Sequence, residues 1–189
     1  VYVRKQIVHN RHVVEHLAAI SAQARKAIVW AWQHAGEIGI DRDRLSVMGH
    51  SAGGHLTGMM MGTNWAAIGT DMPTDLLKAG IPISPLNLLE PLRFTSIGGA
   101  LRMDEAEAAR ESPMNNPPIT NAPQLVVCGG RETEEFHRQA DMYVEAFTTK
   151  QRLIERYSVP DCDHFDELNA LADDQKPFFS KAYALLTSQ

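Results

Sequence analysis

From about His16 onward the chain alternates between two hydrophobic periods. Between His16 and Ile38 the apolar positions Ile20, Ala24, Ala27, Ile28, Ala31 and Ala35 recur at spacings of three and four, which marks one face of an amphipathic helix closed by Gly36 and Gly39. A polar turn over residues 40 to 44 leads into a short apolar strand, Leu45 to Met48, and a second helix follows Ser51. That helix carries Gly53, Gly54, Gly58, Met59, Met60, Met61 and Gly62. Small residues let it lie close to a sheet and methionine fills uneven gaps, so these methionines are expected in the core, ahead of the alternative of a methionine-lined pocket.

Ala79 to Ser84 reads as a further strand, although Pro82 cannot donate to a central ladder. Residues 85 to 123 hold six prolines and one helical piece, Asp104 to Glu111, and read as an excursion above the sheet that shapes a pocket. Its Leu86, Leu88, Leu89, Leu92, Phe94, Ile97 and Leu101 need burial, which argues against an interdomain linker. Pro123 to Gly130 is an apolar strand ended by two glycines. After Arg131-Glu132-Thr133 a helix begins, with Thr133 as its expected cap and Glu134 and Glu135 in its first turn. Its apolar face is Phe136, Ala140, Tyr143, Val144 and Phe147. Leu153 to Val159 is the next strand, a loop with Asp161, Cys162, Asp163 and His164 follows, and a helix from Asp174 to Thr187, interrupted near Pro177, ends the chain. Residues 1 to 8 read as a strand or a lead-in. Strand and helix in alternation predict an α/β fold, a mostly parallel sheet with helices on both faces.

Composition narrows the field without changing that picture. The 189 residues fit one domain with a real core, and 44% hydrophobic against 22% charged residues is an ordinary globular balance. A net charge of −5 with scattered Lys and Arg gives no surface for nucleic acid or an anionic membrane. No apolar run approaches the roughly 20 residues needed to span a bilayer, and no signal-peptide core precedes the first helix, so the cytoplasm is the expected location. Two cysteines, Cys128 and Cys162, make no disulfide framework. Cys128 is expected as a buried strand residue and Cys162 as a loop thiol.

The candidate chemistry starts at Gly49-His50-Ser51-Ala52-Gly53, a Gly-x-Ser-x-Gly turn between a strand and a helix. The tight turn leaves no room for a Cβ at Gly49 or Gly53, and Ala52 offers a backbone N–H at the helix start where an oxyanion is favoured. In a parallel sheet, function gathers at the carboxyl ends of strands, and three such ends carry reactive residues: Ser51, the Glu132 loop and His164. A serine hydroxyl needs a base to take its proton, and the base needs an acid to fix its tautomer. Ser51, His164 and Glu132 fill those roles in turn. On the residues alone, Glu134, Glu135, Asp161 and Asp163 are rival acids, and Glu132 leads by position. His50 and His55 flank the turn as expected packing or hydrogen-bonding residues. A metal is not expected at Asp161-Cys162-Asp163-His164, because ligands crowded onto adjacent loop positions do not converge on one ion. No cofactor is expected.

Gly49-His50-Ser51-Ala52-Gly53-Gly54-His55-Leu56, Glu135-Phe136-His137-Arg138-Gln139 and Asp163-His164-Phe165-Asp166, in that order, resemble the arylformamidase (kynurenine formamidase) branch of the esterase/lipase α/β-hydrolases. The resemblance implies an α/β-hydrolase fold over about residues 16 to 185 and a serine hydrolase of esters or small N-acyl or N-formyl amides. It also implies the acid at Glu132, where the family usually has aspartate; the extra methylene requires the loop to sit further back. The family's early His-Gly-Gly oxyanion stretch and the strands before it have no counterpart ahead of Ser51. The chain therefore reads as the C-terminal two-thirds of the fold. Homo-oligomerisation or a complementing N-terminal segment is the expected remedy for an open edge on the Leu45 to Met48 strand. The rival from another class is a catalytically idle hydrolase-like binding or scaffold protein, since losing one oxyanion donor costs about 3 to 4 kcal/mol of transition-state stabilisation.

Overall fold

The computed structural model describes residues 17 to 69 and 71 to 188, so the expected lead-in over residues 1 to 8 lies outside the described residues. Four parallel strands, β1 (Ser46–His50), β2 (Ala79–Ile83), β3 (Gln124–Gly129) and β4 (Ile154–Val159), form one sheet in sequence order. The first helix, α1, runs Leu17–Gln33 and stops short of Ile38. The chain leaves it through turns that end at Gly39, whose φ of 70° is open to glycine without strain. Helix α2 (Ala52–Met61) follows β1 directly, α3 (Ser96–Leu101) and α4 (Glu105–Arg110) lie in the excursion, and α5 (Glu134–Phe147) connects β3 to β4.

Alternate residues of β3 face opposite layers, as the pleat dictates. Leu125 and Val127 join Ile81, Ile83 and Val159 against Phe178 and Ala182 of α7 (Pro177–Thr187). Val126 and Cys128 pack on the other face against Ala140 and Tyr143, with Phe136, Val144 and Phe147 around them, which is the face expected of α5. The α2 methionines Met59, Met60 and Met61 are buried with Trp65 and Leu76, and Ile28 and Trp32 of α1 close over them. They are core residues, as expected.

Pro82 sits in a central strand after all. The β2 ladder to β3 is made by Gly80 N–H donating to Pro123 O (3.1 Å) and Ser84 N–H donating to Val127 O (2.7 Å). Pro82 falls between them, at the one donor position the ladder does without. In the excursion, Leu89 is buried and Leu86, Leu92 and Leu101 pack around it with Met103, but Phe94 is 80% exposed and Ile97 54% exposed, against expectation. Asp104 caps α4 through Glu107 N–H, whereas the Thr133 hydroxyl makes no capping bond to α5. A further helix, α6 (Asp166–Ala172), stands where a plain loop was expected.

Gly129 is held by a close approach. A Cβ there would lie 2.6 Å from Cys162 O and 2.7 Å from Asp163 O, the backbone of the loop that carries His164. Gly99, in α3, has open space around it. We expect Gly129→Ala to cost about 1 to 3 kcal/mol by forcing strand and loop apart, and Gly99→Ala to be neutral or to stabilise by about 0.5 to 1 kcal/mol, both read as shifts of the urea midpoint at unchanged slope.

Candidate active site

Ser51 occupies the turn between β1 and α2 at φ 56°, ψ −116°. For a non-glycine residue such a backbone costs of order 1 to 3 kcal/mol and persists only where its surroundings impose it. They do: Ser51 N–H donates to Ile83 O at 2.9 Å and His55 N–H donates to Ser51 O at 3.0 Å. A Cβ on Gly49 would sit 2.3 Å from Gly53 O, so glycine is required there. At Gly53 the expectation fails, because a Cβ there meets nothing within 4 Å among the described residues. The second requirement falls instead on Gly54, whose Cβ would lie 2.6 Å from Ile83 O, where α2 crosses the end of β2. Ala52 is the first residue of α2, a position whose N–H has no intrahelical acceptor.

The candidate acid and the candidate base meet. Glu132 Oε1 lies 2.5 Å from His164 Nδ1, with the Glu132 side chain 1% and the His164 side chain 25% exposed. The Glu132 loop is a tight turn, with Glu132 N–H donating to Gly129 O (3.2 Å), and the carboxylate folds back to accept Gly129 N–H at 3.0 Å. Two of the four rival acids are engaged elsewhere: Glu135 pairs with Arg138, and Asp163 accepts the N–H groups of Phe165 and Asp166. With Nδ1–H donating to a carboxylate, Nε2 of His164 is left as the acceptor. The His164 ring packs among His50 (4.4 Å), Phe136 (5.1 Å) and Phe165 (5.3 Å). Ser51 and His164 make no hydrogen bond to each other among the described residues, a contact that ligand-free enzymes commonly leave long.

Three groups beyond the expected set complete the cluster. The Ser84 hydroxyl, at the end of β2 and at φ 44°, lies 2.5 Å from Glu132 Oε2 and 2.6 Å from Glu167 Oε1. Glu167, on α6, is fully buried. His50 Nε2 lies 2.7 Å from His164 O and 3.1 Å from Glu167 Oε1, and the Glu167 carboxylate beside it holds its imidazole above the ordinary histidine value. Glu167 was hidden because α6 is short; the one signal was Asp163 three residues ahead of Asp166 with Leu168 and Leu171 behind, a capped helix start. His55 is a buried hydrogen-bonding residue, as expected: its Nε2 lies 2.6 Å from Glu111 O, and burial pushes its imidazole down. Cys128 is buried, its thiol pushed up to about 12 by burial, and both cysteines are free.

Among the described residues, one group of potential metal donors lies close together, His50, His164 and Glu167. His50 Nε2 already faces the Glu167 carboxylate and the His164 carbonyl there. A cavity of about 600 Å³ lies between α1, α2 and α4 against Arg25, Met59 and Arg110, and none of Ser51, Glu132 and His164 lines it. No helix among the described residues is long and apolar enough to cross a membrane.

A parallel sheet between helix layers, with a strained serine turn, a glutamate and a histidine at its carboxyl edge, is the arrangement of the α/β-hydrolase fold. Within that fold the chain is similar to the arylformamidase-like branch of the esterase/lipase proteins. Residues 2–78 match the family model BD-FAE. The chain is 28% identical over 158 residues to a kynurenine formamidase of Salmo salar, covering 80% of this chain and 51% of the relative. It is 26% identical over 158 residues to that of Danio rerio, covering 81% and 52%. Among solved structures, a thioesterase candidate from Silicibacter sp. TM1040 superposes with a TM-score of 0.70 at 28% identity, covering 88% of this chain and 58% of that one. The chain spans about half the length of the curated relatives it matches.

The two histidines beside Ser51 titrate in opposite senses. A raised His50 gives stability that is full below the ordinary histidine value and is lost as pH rises through its folded value. A lowered His55 gives stability that is lost as pH falls through the ordinary value, because the unfolded chain binds a proton the folded one refuses. Urea midpoints from about pH 5.5 to about 8 are expected to fall toward both ends in the wild type. His50→Gln should flatten the alkaline side and His55→Gln the acidic side.

Proposed function

We propose that this chain is a serine hydrolase that cleaves carboxylic esters or small N-acyl amides, with N-formyl aryl amides as the first class to test. The observation that carries this reading is the contact between Glu132 and His164, made at the carboxyl edge of the sheet whose first strand, β1, leads directly into the strained Ser51. In this reading His164 Nε2 takes the Ser51 proton as Oγ attacks the substrate carbonyl, and Glu132 holds Nδ1–H and offsets the charge that develops on the ring. Ala52 N–H donates to the oxyanion. His164 then returns the proton to the leaving alcohol or amine, and a water, deprotonated by the same nitrogen, releases the acid from the acyl-serine. The names of the relatives point to the same bond types: formamidase and thioesterase both cleave an acyl carbon from a heteroatom.

One donor leaves the oxyanion half served. The outer edge of β1 is unpaired among the described residues and Met48 on it is 47% exposed, so that edge suits a further strand bearing a second donor, from a second copy of the chain or a complementing N-terminal segment. The specific rival is an idle hydrolase-like binding protein, favoured by a Ser51 hydroxyl that makes no hydrogen bond among the described residues. A fluorophosphonate probe decides between them. Stoichiometric labelling that is lost in Ser51→Ala is expected; no labelling of either protein would sink the hydrolase reading. Where labelling occurs, turnover of a p-nitrophenyl ester against an N-formyl aryl amide separates esterase from formamidase action.

A further inference from the structure

Glu132 and Glu167 are two buried carboxylates drawn to a single hydroxyl, that of Ser84. One hydroxyl proton serves one of those contacts at a time, and two like charges at this separation repel strongly where water is excluded. The arrangement therefore needs a compensating positive group, and the histidine ring beside Glu167 is His50. His50 reaches Glu167 Oε1 and His164 O with the same nitrogen, so the side chain that balances Glu167 also grips the backbone of the base. Among the described residues Glu167 Oε2 is buried without a hydrogen-bond partner, and the carboxylate is anchored through Oε1, between Ser84 and His50.

We propose that Glu167 is a positioning residue of this site: through Ser84 it fixes the carboxylate of Glu132, and through His50 it fixes the main chain of His164. It touches neither substrate nor reacting atoms. One carboxylate on α6 thus sets the acid and the base relative to each other. Glu132 and His164 sit on separate loops, after β3 and β4, and their own contact fixes only the distance between two atoms. The links through Ser84 and His50 fix the carboxylate plane and the loop, which orientation-sensitive proton transfer requires. The groups that face His50 are Glu167 from α6, Glu132 from the β3 loop and the His164 ring from the β4 loop. The proposal rests on the reading of Ser51, His164 and Glu132 as one machine.

The test combines imidazole ¹⁵N NMR titration of the full chain with the rate of fluorophosphonate labelling at Ser51, for wild type, Glu167→Gln, Glu167→Leu and Ser84→Ala. Glu167→Gln keeps an oxygen at Oε1 and loses the charge; Glu167→Leu loses both. His50 should titrate above about 6.5 in the wild type and fall to or below that value in both Glu167 variants. The downfield His164 Nδ1–H resonance should survive Glu167→Gln and weaken in Glu167→Leu and Ser84→Ala. Labelling should slow by roughly tenfold or more in the latter two and recover most of its rate in Glu167→Gln. Should Glu167→Leu fail to fold, Glu167→Gln and Ser84→Ala still decide the matter. An unmoved His50 titration in Glu167→Gln, or labelling of Ser84→Ala at the wild-type rate, overturns the proposal. If the wild type itself is not labelled, the hydrolase reading fails on its own account. The NMR signals then judge the network alone, and unchanged His50 and His164 signals overturn it.

Discussion

The hydroxyl of Ser84, caught between two buried carboxylates, ties the carboxyl ends of all four strands into one cluster. β2 contributes Ser84 itself, β3 contributes Glu132 three residues past its end, β1 contributes His50 as its last residue, and β4 leads to His164. Helix α6 adds Glu167 from below. Buried charges of this kind cost several kcal/mol each to desolvate, and they hold together only when geometry and counter-charge are both good. Here the group that meets Glu167 is the His50 imidazole, directly before Ser51, and the carboxylate favours its protonated form. The residue that makes burial of the acids tolerable is thus the neighbour of the candidate nucleophile.

The backbone shows the same convergence. Ser51, Ser84 and Asp161, each one or two residues beyond a strand, all have positive φ without being glycine. Three strained turns at one edge of one sheet are what is expected where strand ends are bent to aim side chains at a common point. The strain is held by close packing underneath. Gly49 against Gly53, Gly54 against Ile83 and Gly129 against the Cys162–Asp163 backbone are all contacts that a methyl group would prevent. β2 and β3, buried along their whole length, give these turns a rigid base.

Much of this was legible in the sequence because it rests on local signals. The Gly-x-Ser-x-Gly turn, the α5 face and the order of Ser51, Glu132 and His164 are each written in a few neighbouring residues, and the helices and strands that carry them form where their periodicity puts them. What escaped depends on distance in the chain. Glu167 is drawn into the core by Ser84, 83 residues earlier, and by His50, and nothing near it in sequence distinguishes it from a surface glutamate on a short helix. Pro82 looked unsuited to a central strand because its own side of the ladder, facing β3, cannot be read from composition. Phe94 and Ile97 were expected inside, but the excursion is long enough to bury Leu89 and Met103 and leave those two out.

A glutamate at position 132, where the resemblance leads one to expect aspartate, fits the same geometry. From one position Glu132 accepts from Gly129 N–H and reaches Ser84 and His164, with its main chain closed back onto Gly129 in a tight turn. An aspartate is one C–C bond shorter, about 1.5 Å, and from the same tight turn it would have to give up part of that set. The longer side chain removes the need for a more extended loop. It also brings the carboxylate within reach of the Ser84 hydroxyl, which it shares with Glu167. On this geometry the substitution and the buried second carboxylate belong together: the acid that reaches further is the one that has something further to be held by.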